Sequence, residues 1–175
     1  MLPIVLVMLA LIGSIAAAAT VRVARRRAGN IPTIPFSDDA RRVLDRSAEE
    51  ARNRGAAPIA PDHILLALLV DPASQTTQLL TRLGVDCEVL QQQLESRLPT
   101  EPVGPGQTPP LYTAQALSVL EESIHEADLA PAPETRAGHV LAGVLRIPRS
   151  HAAQLLQQSG ASLLALRSAH SAPAS

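Results

Sequence analysis

The groups in this 175-residue chain that could do chemistry are few: five histidines, one cysteine, sixteen acidic residues and fifteen basic ones, all of the latter arginine. Two of the histidines, His63 and His139, hold matching places in the stretches APDHILLALL and RAGHVLAGVL, which invites the idea of a metal pair. A metal site needs three or four ligands, yet neither histidine has a second ligand three or four residues further on, one helical turn away. Both are read as structural, and no metal is assigned. Cys87 stands alone, which rules out a disulfide framework and a multi-cysteine zinc site and leaves a small apolar helix residue. The absence of lysine removes both a phosphate-loop nucleotide site and Schiff-base chemistry. No G-x-S-x-G turn sets a serine nucleophile beside a histidine. The residues therefore point away from an enzyme, from a bound nucleotide and from a cofactor.

The elements that position these residues come in two copies. The correspondence of His63 with His139 is an offset of 76 residues, and the same offset relates Leu65 to Leu141, Leu69 to Leu145 and Pro72 to Pro148. It holds without a gap in both directions. Phe36 matches Tyr112, the chain's two aromatic residues, and Val43, Leu44, Ser47 and Glu50 match Val119, Leu120, Ser123 and Glu126, while Gly84 matches Gly160. An ungapped repeat of this length is an internal duplication, and two units each too small to bury a core of their own pack as one domain. Residues 64–70 are apolar at every position, so no face is left for water and the helix must be surrounded by others.

Composition agrees with helices. Hydrophobic residues make up 46% of the chain and aromatics 1%, so the core is built from Leu, Val, Ile and Ala. The first copy predicts a helix after Ser37, whose hydroxyl caps it, with Ala40, Val43, Leu44, Ser47, Ala48 and Ala51 inward. A central helix then starts at Pro61 and Asp62, a third covers about 74–83 and stops at Gly84, and a fourth covers about 86–98. Residues 99–111 carry the prolines and glycines of a connector. The second copy follows with Thr113 as cap and helices near 114–128, 137–146, 149–159 and 162–167. The expectation is one all-α domain over 36–167, in repeats 36–98 and 112–167, with 168–175 as a disordered tail.

The N-terminal stretch is of a different kind. Residues 1–21 contain no charged side chain, enough at about 1.5 Å per residue to cross a hydrocarbon core of about 30 Å as one transmembrane helix. A secretory signal peptide is the rival, but it carries its basic residues in front rather than behind. Here Arg22, Arg25, Arg26 and Arg27 follow the span, and basic residues beside a span stay in the cytoplasm. Residues 22–35 then form a basic juxtamembrane segment and a Gly- and Pro-containing linker. Beyond residue 27, eleven arginines face sixteen acids, a net charge of −5 that is no footprint for nucleic acid.

Both copies together resemble the double N-terminal repeat domain of the Clp family of AAA+ unfoldases, in particular its ClpC-like members. The resemblance is carried by FSDDARRVLDRSAEEA, APDHILLALL and LLTRLGVDCEVL, and more weakly by YTAQALSVLEESIHEA, AGHVLAGVL and LLQQSGASLLAL. It implies an eight-helix, pseudo-twofold module that receives substrates and adaptor proteins, without the ATPase cassettes that follow it in unfoldases. It also implies possible ligand-binding residues, because some members recognise phosphorylated arginine through the threonine opening each copy and the glutamate before each histidine. Those places are held by Ser37 and Asp62 in the first copy and by Thr113 and Gly138 in the second, so at most one such site survives. Each has a plain alternative: Ser37 and Thr113 as helix caps, Asp62 as an acid at the positive end of a helix. The function expected is a membrane-anchored protein-binding module facing the cytoplasm, whose partners are Clp unfoldase subunits, adaptors or their clients. The competing reading is a structural or regulatory membrane protein that keeps the fold without binding peptides.

Overall fold

The computed structural model describes residues 35–55, 58–98 and 111–171. The expected span over 1–21, the basic segment and linker up to residue 34, the connector over 99–110 and the end of the tail at 172–175 lie outside the described residues. Among the described residues no helix is long and apolar enough to cross a membrane.

Eight helices account for most of the described chain: α1 (Asp38–Asn53), α2 (Pro61–Leu69), α3 (Gln75–Arg82) and α4 (Cys87–Arg97) in the first copy, then α5 (Ala114–Leu129), α6 (Ala137–Leu145), α7 (His151–Gln158) and α8 (Leu163–Ser171) in the second. The inward stripe of α1 is Ala40, Val43, Leu44, Ser47 and Ala51, all buried, with Ala48 partly so. Central α2 is buried from His63 through Leu69, and α6 from Val140 through Leu145. A continuous apolar surface on such short helices is stable only because each is enclosed by its neighbours. The stop signals act alike in both copies: Gly84 and Gly160 take the left-handed conformation at φ +83° and +91°, and the residue after each donates back to Leu80 or Leu156. That closing geometry favours glycine, which has no Cβ to clash.

Two features depart from expectation. The last helix runs to Ser171, past Arg167, after which the tail was expected to begin. Its docking explains part of that extension: Arg167 donates two hydrogen bonds to the buried Glu126 carboxylate at 3.1 and 2.7 Å, and Arg146 adds a third at 2.5 Å. Glu126 thereby ties α8 to α5 and α6. Burial pushes its pKa up, but the hydrogen bonds from Arg167 and Arg146 outweigh that and hold it below the ordinary glutamate value.

The second departure is extended backbone. Pro58–Ile59 (β1) pairs in parallel with Leu111–Tyr112 (β2), and Phe36 makes an isolated parallel bridge with Thr135. The two pairings are repeat-equivalent and reciprocal, since Thr135 is Ile59 displaced by one repeat and Tyr112 is Phe36 so displaced. The opening of each copy is therefore hydrogen-bonded to the segment that leads into the other copy's central helix.

Candidate functional site

The expected ligand residues lie around the starts of α2 and α6, where first-turn backbone amides give a partial positive charge. At both starts a histidine does the capping. The Nδ1 of His63 accepts the Ala60 N–H at 3.0 Å, and the Nδ1 of His139 accepts the Arg136 N–H at 3.1 Å. Accepting at Nδ1 requires that the ring be neutral and protonated on Nε2. For His63 the Nε2 is buried without a hydrogen-bond partner, and burial pushes its pKa down; Asp62 and Glu50 oppose that shift, while Arg54 adds to it. The matched histidines thus serve their own helix starts.

The reciprocal pairing rearranges the expected sites. Ser37 does not stand with Asp62, its companion in the first copy. Its N–H donates to the Thr135 carbonyl at 3.1 Å, and its single hydroxyl proton is shared between that carbonyl and the Asp39 carboxylate, which places Ser37 at the entrance to α6. The prediction that this hydroxyl caps α1 is corrected: no side-chain cap is made there, because Asp39 and Thr135 take the hydroxyl instead. Thr113 does cap, accepting the Ala116 N–H at 3.1 Å, and its own N–H donates to Ile59 at 2.9 Å, so the hydroxyl residue at the entrance to α2 is Thr113.

The two entrances differ chemically. At α6, Asp39 reaches across to accept the Ala137 N–H at 3.0 Å. Burial acts to raise the pKa of Asp39, but hydrogen bonds from Ser37 and from backbone amides outweigh it and leave the value lowered. The positive end of α6 is thus already occupied by a carboxylate of the chain itself. At α2 the equivalents are Gln115, uncharged, and Pro61, which has no N–H to give. Asp62 is engaged elsewhere, with the Nδ1 of His151 at the first position of α7, 2.5 Å away. An ionised carboxylate only accepts, so Nδ1 carries the proton there. The repeat equivalents of this pair are Gly138 and Gln75, so it exists at one entrance alone.

Beside the pair an open cleft of about 350 Å³ separates α4 from α7, lined by Gln93, Ser96, Arg97, His151, Gln154, Leu155 and Gln158. A serine, a histidine and an aspartate thus share one neighbourhood, but the Ser96 hydroxyl donates to the Gln93 carbonyl at 2.9 Å rather than to the imidazole. The side chains offered are hydrogen-bonding amides and a guanidinium, equipped to hold a ligand rather than to attack one.

Neither the bond from Ser37 to Thr135 nor that from Asp39 to Ala137 can be read from one copy alone. The repeat did contain a trace of them. Asp39 faces an N–H, whereas Gln115 corresponds to a partner position with proline, so the two differences change together.

Comparison with known proteins places these features in a family. Residues 35–159 match the Clp repeat (R) N-terminal domain. The negative regulator of genetic competence ClpC/MecB of Bacillus subtilis is 32% identical over 131 residues, 73% of this chain and 16% of that protein. The chaperone protein ClpB of Oceanobacillus iheyensis is 31% identical over the same length and shares. The chain thus spans about a sixth of these relatives. Among solved structures, the N-domain of ClpV from Vibrio cholerae superposes with a TM-score of 0.68 at 20% identity, over 83% of this chain and 90% of that one. A complex of the ClpV N-domain with a VipB peptide gives 0.61 at 19% identity, over 78% and 88%.

Proposed function

From the premise that the chain belongs to the Clp repeat N-terminal domain family, we propose that it is a non-catalytic protein-binding module, held at the cytoplasmic face of a membrane by residues 1–21. The observation that carries the binding role is the match of residues 35–159 to the Clp repeat N-terminal domain, beside 32% identity over 131 residues to ClpC/MecB. The ClpV N-domain seen with a VipB peptide supports it, as a fold of this kind engaged with a protein segment. The partners are proteins: Clp unfoldase subunits, adaptors or their clients. Support for the anchor comes from the uncharged stretch and the four arginines behind it.

Thr113 and Asp62 flank one helix start, and that start is the better candidate for a small charged ligand such as phosphorylated arginine. Ser37 is the poorer one, because Asp39 already supplies the anion at its helix. A guanidinium bound by Asp62 would share the carboxylate with His151, which engages only its Oδ1.

Two measurements test the proposal. Full-length chain should sediment with membranes and resist protease added outside intact cells. Purified in its membrane, it should retain Clp unfoldase subunits or their adaptors. Retention of neither, with the fold intact, supports the structural reading instead.

A further inference from the structure

The cleft between α4 and α7 has a composition that its surroundings do not. The chain beyond residue 27 is acidic, yet none of the seven lining residues is an acid. One of them, Arg97, carries a guanidinium, three are glutamines whose amides both donate and accept, and His151 adds an imidazole. Among the described residues no ion pair is found for Arg97. The nearest carboxylate on the His151 side, Asp62, is occupied by Nδ1 of that ring, which leaves Nε2 as the ring's remaining polar atom.

The other copy lacks this set. Displaced by one repeat, Gln93 becomes Ala169, His151 becomes Gln75 and Gln158 becomes Arg82. Leu155, buried at the base, keeps its counterpart in Leu79. The apolar floor and Gln154, matched by Gln78, belong to the fold, whereas Gln93, His151 and Gln158 belong to this cleft.

We propose that this cleft binds an extended peptide segment carrying a carboxylate. A glutamine side chain offers both a donor and an acceptor, which is what a peptide backbone presents, and three of them on facing helices can hold a strand without reading its side chains. Arg97 supplies a planar fork for a carboxylate. His151, whose Nδ1–H is held by Asp62, leaves Nε2 as an acceptor for a backbone N–H of the segment. A volume of about 350 Å³ lies at the lower end of the roughly 300–1,000 Å³ common for ligand sites, fitting a short segment and not a folded domain. The inference rests on the protein-binding reading above and assigns to it a place and a chemistry.

The test uses two fluorescein-labelled octapeptides, identical except for glutamate or glutamine at one central position, titrated against the full-length chain by fluorescence anisotropy. The glutamate peptide should bind about tenfold more tightly, the scale of one charged hydrogen bond partly exposed to water. Arg97→Gln lies on an exposed helix end and should not disturb folding; it should abolish the preference while leaving the glutamine peptide unaffected. His151→Gln should reduce affinity for both peptides. Equal binding of the two peptides, or a preference that survives Arg97→Gln, overturns the proposal. So does an absence of binding by either peptide; if the chain still retains unfoldase subunits or adaptors in that case, the module reading stands and only the cleft is lost.

Discussion

Gly143 in the middle of α6 is the position where adding one methyl group should do the most harm. A Cβ built there comes within 2.4 Å of the Ser123 hydroxyl, 2.5 Å of the Val119 carbonyl oxygen and 2.9 Å of the Ser123 amide nitrogen, all on α5. Two of those atoms are backbone and cannot turn aside. The third, the Ser123 hydroxyl, is hydrogen-bonded to the Val119 carbonyl at 2.6 Å, so rotating it away forfeits about 1 kcal/mol. The two backbone clashes remain after that rotation and are relieved only by moving α5 and α6 apart, which adds about 1–3 kcal/mol of disturbed packing. Against this, alanine is the better helix former by about 1 kcal/mol. The net expectation for Gly143→Ala is a loss of about 1–3 kcal/mol, read as a lower urea midpoint by far-UV circular dichroism with the slope unchanged. The first copy gives the contrast, since Ala67 holds this place with 1% exposure and a methyl is already accommodated. Combining Gly143→Ala with Ser123→Gly removes the closest of the three clashing atoms and should recover part of the loss. A midpoint for Gly143→Ala at or above that of the unaltered chain would refute the reasoning.

Glu126→Gln should destabilise by about 2 kcal/mol near neutral pH, under the roughly 3–5 kcal/mol of a fully buried pair because both arginines reach solvent. Since the folded-state pKa of Glu126 is lowered, its contribution is present above the ordinary glutamate value and lost as pH falls through the folded value, so urea midpoints of the two proteins should converge in acid. His63 behaves in the opposite sense for a histidine that gains a partner: its folded pKa is lowered, so the unfolded chain takes the proton first. Stability should decline as pH drops below about 6.5, and this decline should be shallower in His63→Gln, measured as urea midpoint against pH. Titration calorimetry with phosphorylated arginine should give one equivalent, and Asp62→Ala should weaken it by about 1.5–3 kcal/mol; two equivalents would contradict the difference between the α2 and α6 entrances.

The helices were legible because each carries its own signals. The stripe of α1, the proline that opens α2 and the glycines that close α3 and α7 act within a few residues of where they stand, and the repeat supplied the stripe and the closing glycines twice. What lay beyond reading was contact between copies. Ser37 has the residue type and place of a helix cap, and only the nearness of Asp39 and Thr135 draws its hydroxyl away. In the same way Asp62 reads as an acid at a helix start, and nothing along the chain announces His151, 89 residues later, as its partner. The two short strands have no alternation to detect, because two residues cannot show a period. The extra turn of α8 follows Arg167, whose partner Glu126 is a charge buried in another helix, and packs Ala169 against the core.

The reciprocal bonding of Phe36–Ser37 to Thr135 and of Tyr112–Thr113 to Ile59 bears on how such a protein can diversify. A chain holding one copy could satisfy these bonds only by meeting a second, identical chain around a true twofold axis, each lending its opening to the other. Every substitution would then appear at both entrances at once, and an acid helpful at one would be imposed on its mirror. Covalent fusion lifts that restriction. Asp39 with Ala137 on one side, and Gln115 with Pro61 on the other, are changes that a homodimer could not make separately. Tandem linkage thus leaves one entrance free to acquire a ligand while the other remains a closed joint.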